Sequence, residues 1–272
     1  MARAIVYSDY GTAVDLDTEP PIEVWQDKFP KNGFTPGTIR VLYLCEPPVI
    51  KDFRKKLKRH GHEFDQILTF DPWVLKRFPQ AHKFVYGTAL VREPQPEREF
   101  SISTVIGTKL ITRGHRLRQK FWKKSARVTN PLRLFFSRQF AEDGIPLPEG
   151  ALRLGDDKSP PFKSLFHLAI ENCRMPDYFT EKVMDCFQSM TVPIYWGCTN
   201  IGDYFNTDGM IVVKSLRGLI KACNSVTPEL YERMRPALEE NRERSNKYAD
   251  HDPRLTARIR EIVVPEKAKI VE

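Results

Sequence analysis

The residues best placed to do chemistry lie in a polar loop between Ile170 and Val183, Glu171-Asn-Cys-Arg-Met-Pro-Asp-Tyr-Phe-Thr-Glu-Lys182. Either Asp177 or Thr180 can cap a helix that begins here, and the free backbone N–H groups of a helix start attract an anion. Lys182 falls in the first turn of that helix. A cation there opposes the helix dipole at a cost of roughly 0.3–1 kcal/mol. A phosphate group would offset that cost, while on local physics Glu181 and Lys182 read equally as solvated first-turn residues. A second set of cations, Lys109, Arg113, Arg116 and Arg118, follows the segment Phe100–Ile106, which begins a second βα unit, with Gly107 and Gly114 permitting close backbone approach. It matches neither a Walker loop nor a G-x-G-x-x-G fingerprint. Arg118 reads equally as a phosphate ligand or as an ordinary helix-surface cation. A third candidate is Glu46, at the end of the nearly continuous apolar run Ile39–Cys45 and held by Pro47 and Pro48. A carboxylate at the carboxyl end of a buried parallel strand is well placed to meet a ligand, although local features alone favour an ordinary loop carboxylate.

The elements that would position these groups follow from periodicity. Phe166–Ile170 suits a buried strand, Thr180–Met190 carries Val183, Met184 and Phe187 on one helical face, and Thr191–Trp196 is apolar and β-branched. Together they predict a βαβ unit with the polar loop at the carboxyl end of its first strand, where open α/β sheets bind ligands. Upstream, strands are expected at Arg3–Ser8, Ile39–Cys45, Phe64–Phe70 and Lys83–Leu90, with a basic helix over Val49–His60 and a short helix or turn over Pro72–Phe78. The stretch 10–38 has no clear pattern. Phe100–Ile106 predicts a strand and Arg116–Lys124 a helix; Leu132–Phe136 reads as a strand and Pro146–Pro161 as a loop. Further on, Met210–Val213 suggests a strand, and Ser215–Cys223, Pro228–Tyr248 and Asp252–Val263 suggest helices. Tyr231, Met234 and Leu238 share a packing face.

The run Arg92-Glu-Pro-Gln-Pro-Glu-Arg98 contains two prolines and no apolar residue, which marks a linker. It divides the chain into an N-terminal domain, 1–97, and a C-terminal domain, 98–272. The 272 residues, 41% hydrophobic, suffice for two modest α/β cores. The net charge of +8 suits a polyphosphate ligand, a nucleic acid or an anionic membrane face without choosing among them. No N-terminal signal peptide and no run of ~20 apolar residues is visible, so a cytoplasmic protein without a transmembrane segment is expected. Five scattered cysteines with no C-x-x-C pair read as reduced thiols. His60 and His62 have no third ligand nearby, and no metal site is expected.

Ile170-Glu-Asn172, Asp177-Tyr-Phe-Thr-Glu-Lys182 and Thr191-Val-Pro-Ile-Tyr-Trp-Gly197 resemble, in order and spacing, the signature of the alpha-1,3-fucosyltransferases of glycosyltransferase family 10. The likeness is to the compact, anchor-less bacterial and viral members. It implies a GT-B architecture of two Rossmann-like domains facing across a cleft, the N-terminal one on the acceptor side and the C-terminal one holding the nucleotide sugar. The implied reaction is transfer of fucose from GDP-fucose to a hydroxyl of a glycan acceptor, with inversion and without a metal. Asn172, Tyr178, Glu181 and Lys182 match the donor-site motif, Lys182 as the pyrophosphate contact and Glu181 on the ribose or fucose side. The segment Leu117-Arg-Gln-Lys-Phe-Trp122 resembles the helix carrying a phosphate-binding arginine, which indicates Arg118, although the register also admits Arg116. Glu46 resembles the proposed general base. Two other functions stand beside this one: a related transferase for another nucleotide sugar, and a non-catalytic polyanion binder built on the basic helix after Pro48. No nucleic-acid partner is expected, and at most weak peripheral contact with a membrane.

Overall fold

The computed structural model describes residues 2–147 and 149–263. The chain forms two compact units, one of residues up to Tyr86 together with those from Asp250 onward, the other of Gly87–Ala249.

In the first unit the strands are β1 (Ala2–Arg3), β2 (Ile5–Tyr7), β3 (Asp17–Thr18), β4 (Ile22–Gln26), β5 (Ile39–Leu44), β6 (Gln66–Thr69) and β7 (Ala81–Lys83). Helix α1 spans Arg54–His60, α2 spans Pro72–Arg77, and the last helix of the chain, α8, spans His251–Val263. Strands β2-β4-β5-β6-β7 form one parallel sheet in that order, while β1 and β3 make a small antiparallel pair. Side chains of β5 alternate between two cores, as the two-residue period of a strand requires. Val41 and Tyr43 pack with Leu255 and Ile259 of α8. Leu42 and Leu44 pack on the other face with Leu57 of α1 and Val74 of α2. The Tyr43 hydroxyl bonds His251 Nε2 at 2.8 Å, and Arg254 donates to the carbonyls of Val85 and Tyr86. These contacts fix α8 in this unit.

The second unit contains β8 (Glu99–Ile106), α3 (Arg113–Trp122), β9 (Leu132–Ser137), α4 (Gln139–Glu142), β10 (Leu152–Leu154) and β11 (Ser164–Ile170). It continues with α5 (Glu181–Gln188), β12 (Val192–Trp196), β13 (Ile211–Val212), α6 (Leu216–Ser225) and α7 (Pro228–Ala249). Its six strands are parallel in the order β10-β9-β8-β11-β12-β13. Counted within the unit this is 3-2-1-4-5-6, the Rossmann order. Strands β11 and β12, both inside the sheet, are almost wholly buried, which explains their largely apolar sequences. Helix α5 ends where Met190 takes a left-handed backbone (φ 58°), with Thr191 N–H bonded to the Cys186 carbonyl and Met190 N–H to that of Phe187. That is a Schellman closure made without the usual glycine. On α7, Tyr231, Met234 and Leu238 are buried together on the expected packing face.

Two Rossmann-like α/β units are therefore present, as the sequence implies, but several boundaries differ. Strand β4 lies inside the stretch without a clear pattern, hidden behind Pro20-Pro21. Helix α1 starts at Arg54 and not at Val49, because Ile50 and Lys51 N–H groups turn back to the Pro47 carbonyl. The strand expected over Lys83–Leu90 ends at Lys83: beyond it, Leu90 and Val91 N–H groups bond the Asp185 carboxylate at 2.7 and 3.1 Å, which removes them from any ladder. Helix α3 starts at Arg113, three residues before the expected Arg116. Part of the loop expected over Pro146–Pro161 is the edge strand β10. The units divide at Tyr86/Gly87 and return at Asp250, whereas the proline run placed the division at 97/98 with everything after it in one domain. The Asp185 bonds, and a bond from Ala89 N–H to the Ala249 carbonyl, tie residues 89–91 to the second unit ahead of the prolines.

Leu255 is fully buried. Leu255→Ala is expected to cost the first unit roughly 2–5 kcal/mol. Native-state hydrogen exchange should show the loss in β4 and β5; protection lost in β11 and β12 instead would contradict the assignment of α8.

Candidate functional site

In a 3-2-1-4-5-6 sheet the order reverses between strands 1 and 4, and ligands bind in the crevice at their carboxyl ends. Here those strands are β8 and β11. A cavity of about 390 Å³ opens at that point, lined by Gly107 and Lys109 after β8, His115 and Arg118 of α3, Asn172 after β11, and Glu181, Lys182 and Asp185 of α5. Its size falls in the ~300–1,000 Å³ range of small-molecule sites.

The loop after β11 is held by Glu171, whose residue is fully buried. One carboxylate oxygen accepts the Thr180 N–H at 2.9 Å and the other the Thr180 hydroxyl at 2.7 Å. Glu171 N–H itself donates to the Trp196 carbonyl at 2.8 Å. Burial pushes the Glu171 carboxyl above its usual range, while Lys182 and the Thr180 bonds pull it back. Thr180, not Asp177, caps α5. Asp177 adopts a left-handed backbone (φ 60°) and braces the next loop, its carboxylate accepting from Asn200 Nδ2 at 2.9 Å and from the Tyr204 hydroxyl. Two glycines let neighbouring segments close on this loop. A Cβ at Gly114 would overlap the Glu171 carbonyl oxygen, and one at Gly197 would overlap the Glu171 side chain.

Arg118 is fixed by this loop. Its Nη1 donates to the Ile170 carbonyl at 2.8 Å and its Nη2 to Asn172 Oδ1 at 2.7 Å. Burial lowers the pKa of its guanidinium, opposed by the fields of Glu171 and Glu181. An arginine stays charged regardless and keeps its remaining N–H donors for a ligand. Arg116 is exposed and donates to the carbonyls of Leu110 and Ile111, and of the two arginines only Arg118 lines the cavity. Lys182 Nζ bonds Glu181 Oε1 at 2.6 Å and Thr180 Oγ1 at 3.3 Å. Burial disfavours its charge, but Glu181 and Glu171 more than offset this and hold its pKa above the ordinary value. Burial likewise opposes the Glu181 charge, and Lys182 overcomes it, so that carboxyl lies below its usual range. The pair is charged, anchored and open to the cavity.

Of the residues picked from the sequence, Arg118, Asn172, Glu181 and Lys182 meet around one cavity. Asn172 holds Arg118 in place with its side-chain oxygen. Tyr178 is 3% exposed and lies outside the residues lining the cavity. Glu46 belongs to the first unit, partly buried after β5. Both Asp27 carboxylate oxygens face the backbone there: Oδ1 accepts the Cys45 N–H at 3.1 Å and Oδ2 the Glu46 N–H at 3.1 Å. The Tyr10 hydroxyl reaches Glu46 Oε1 at 3.5 Å. Asp27 is 3% exposed and left-handed (φ 48°), and burial pushes its carboxyl above the usual range against bonds from Cys45 and Glu46.

Sequence reasoning missed His115, His167 and Asp185. His167 is buried in β11 with Nδ1 bonded to Ser103 Oγ at 2.7 Å, and burial drives its pKa to about 3. Within a continuous apolar run it carries no separate signal. Asp185, on the buried face of α5 beside Met184, is the one acidic residue in an apolar stripe, and that was a usable sign. Among the described residues no three His, Cys, Asp or Glu converge on a point that could hold a metal ion. All five cysteines are free and buried. No described helix is long and apolar enough to cross a membrane.

The fold is that of the GT-B glycosyltransferases. A solved alpha1,3-fucosyltransferase with GDP-fucose superposes with a TM-score of 0.55 at 16% identity, covering 90% of this chain and 78% of that one. An alpha-glucosyltransferase in complex with UDP superposes at 0.56 with 14% identity, covering 89% and 80%. At such identities the likeness is one of fold. Sequence narrows it further: residues 157–227 match the model for the C-terminal part of glycosyltransferase family 10 (fucosyltransferase). The alpha-(1,3)-fucosyltransferase FucT of Helicobacter pylori is 33% identical over 61 residues, 22% of this chain and 13% of that protein. The likeness in sequence to family 10 therefore lies in this C-terminal segment, and the chain spans about an eighth of the length of the curated relative it matches.

Asp185 gives a pH signature. Burial pushes its carboxyl up to about 7, against the N–H bonds from Val91 and Leu90. In the unfolded chain it titrates near ~3.9. The folded protein then binds the proton more tightly, so this group's contribution to stability is full below about pH 4 and is lost as pH rises to about 7. Asp185→Asn keeps an oxygen for both N–H groups. It should become progressively more stable than wild type across that window, by up to ~4 kcal/mol at pH 8 for a shift of about three units. Denaturant melts at pH 5 and 8 showing the same difference would exclude it.

Proposed function

We propose that the protein transfers fucose from GDP-fucose to a hydroxyl of a glycan acceptor, inverting the anomeric centre. The observation that carries this is the cation pair at the switch point: Arg118, locked by Ile170 and Asn172, and Lys182, locked by Glu181 and Thr180, both lining one cavity. Such a pair suits the diphosphate of a nucleotide sugar. The fucosyltransferase model matched by residues 157–227 supports fucose as the sugar, and the likeness in fold to an alpha1,3-fucosyltransferase solved with GDP-fucose supports guanine as the base.

In the proposed step, Glu46 takes the proton of the acceptor hydroxyl, whose oxygen attacks the anomeric carbon as the bond to the diphosphate breaks. Negative charge grows on the leaving diphosphate, where fixed cations stabilise it most. Arg118 and Lys182 supply that charge, and their anchoring means little reorganisation is needed as the bond breaks. Glu181 holds Lys182 in place and is the carboxylate nearest the donor sugar in this scheme. Asp27 is suited to orient Glu46, since it fixes the peptide that carries it. A related transferase for another nucleotide sugar would use the same cations.

Lys182→Ala is expected to weaken GDP binding by at least ~10-fold, since a charge-assisted contact contributes about 1.5–3 kcal/mol; calorimetry giving unchanged affinity would remove Lys182 from the donor site. Glu46→Gln should bind GDP as wild type does but lose transfer by on the order of 10²–10⁴-fold. Wild-type turnover in that variant would rule Glu46 out as the base.

A further inference from the structure

We propose that His115 is a binding residue for the diphosphate of the donor, an uncharged N–H donor standing where a helix cap of this design ordinarily carries a carboxylate. The proposal rests on the donor reading above. Thr112-Arg-Gly-His115 forms a capping box at the start of α3: His115 N–H donates to Thr112 Oγ1 at 3.2 Å, and Thr112 N–H donates back to His115 Nδ1, also at 3.2 Å. The usual residue at the fourth position of such a box is Glu or Gln. On stability alone Glu would serve better in the ligand-free protein, because a negative charge in the first turn favours the helix dipole. It would also pair with the cations nearby. Histidine forgoes both gains.

What histidine offers instead is set by the cap. With Nδ1 accepting the backbone N–H, a neutral ring must carry its proton on Nε2. Burial, followed by the fields of Arg118, Lys109, Lys182 and Arg116, drives the pKa to about 4, so the ring is neutral at physiological pH. The half-buried side chain lines the same cavity as Arg118, Lys182 and Asn172. The cap is therefore made without adding a carboxylate to a cavity that Glu181 and Asp185 already line, and the ring that lines it keeps an N–H donor on Nε2. A local rule broken with a compensating gain at a site is what a ligand requirement produces.

The test compares His115→Gln with His115→Glu. Both side chains complete the capping box, so both should fold, and His115→Glu should melt at or above wild type without ligand. Titrated with GDP, His115→Gln should stay within ~3-fold of wild type, keeping an N–H donor, while His115→Glu should lose at least ~10-fold from charge repulsion alone. Guanosine, which has no phosphate, should bind all three proteins alike. Wild-type GDP affinity in His115→Glu would overturn the proposal, as would equal losses for GDP and guanosine. Failure of wild type itself to bind GDP would instead overturn the donor reading.

Discussion

The second unit depends on one buried carboxylate. Glu171 leaves the end of β11 and accepts both hydrogen bonds that Thr180 can offer, which closes the loop between strand and helix into a fixed ring. Leaving either partner unpaired in that dry setting would cost ~1–3 kcal/mol or more. The carbonyl of Ile170 and the side chain of Asn172 flank Glu171 and hold Arg118. Thr180, on the other side of the ring, caps α5 and steadies Lys182. Arg118 and Lys182 are thus positioned by the neighbours of one acid that does not itself line the cavity.

This arrangement accounts for the placement of Lys182 against the helix dipole. Its charge is maintained by Glu181 and Glu171 in spite of burial, so the protein keeps a cation where the helix alone would not favour one. Gly114 and Gly197 follow from the same constraint, because any side chain at either would displace Glu171 or its carbonyl. The first unit uses a similar device on a smaller scale. Asp27, buried at the end of β4, gathers the backbone after β5 and presents Glu46. In each unit a buried acid organises the polar groups at the carboxyl ends of the strands.

Much of this was legible in the sequence, for identifiable reasons. Strands β5, β11 and β12 are buried on both faces, and their largely apolar runs are unambiguous. The cluster of Arg118, Asn172, Glu181 and Lys182 stood out because its spacing matches a known signature, though local physics alone left Arg118 and Arg116 undecided. Strand β4 was hidden because prolines precede it and polar residues interrupt it. Helix α8 reads correctly as a helix, but nothing local shows that Leu255 and Ile259 pack against β5, some two hundred residues earlier. His115 was invisible because its importance lies in what it replaces: only the bond to Thr112 reveals the capping box.

The central claim is that the cavity at the β8–β11 switch point binds a guanosine diphosphate sugar. A thermal-unfolding panel of GDP-fucose, GDP, other GDP-sugars and UDP-sugars tests it directly. Ligand at ~100 times its dissociation constant adds about 2.7 kcal/mol. The account predicts stabilisation of that size by GDP-fucose and GDP, abolished in Arg118→Ala, with UDP-sugars giving little. Stabilisation by UDP-sugars in place of GDP, or by none of these ligands, would contradict it.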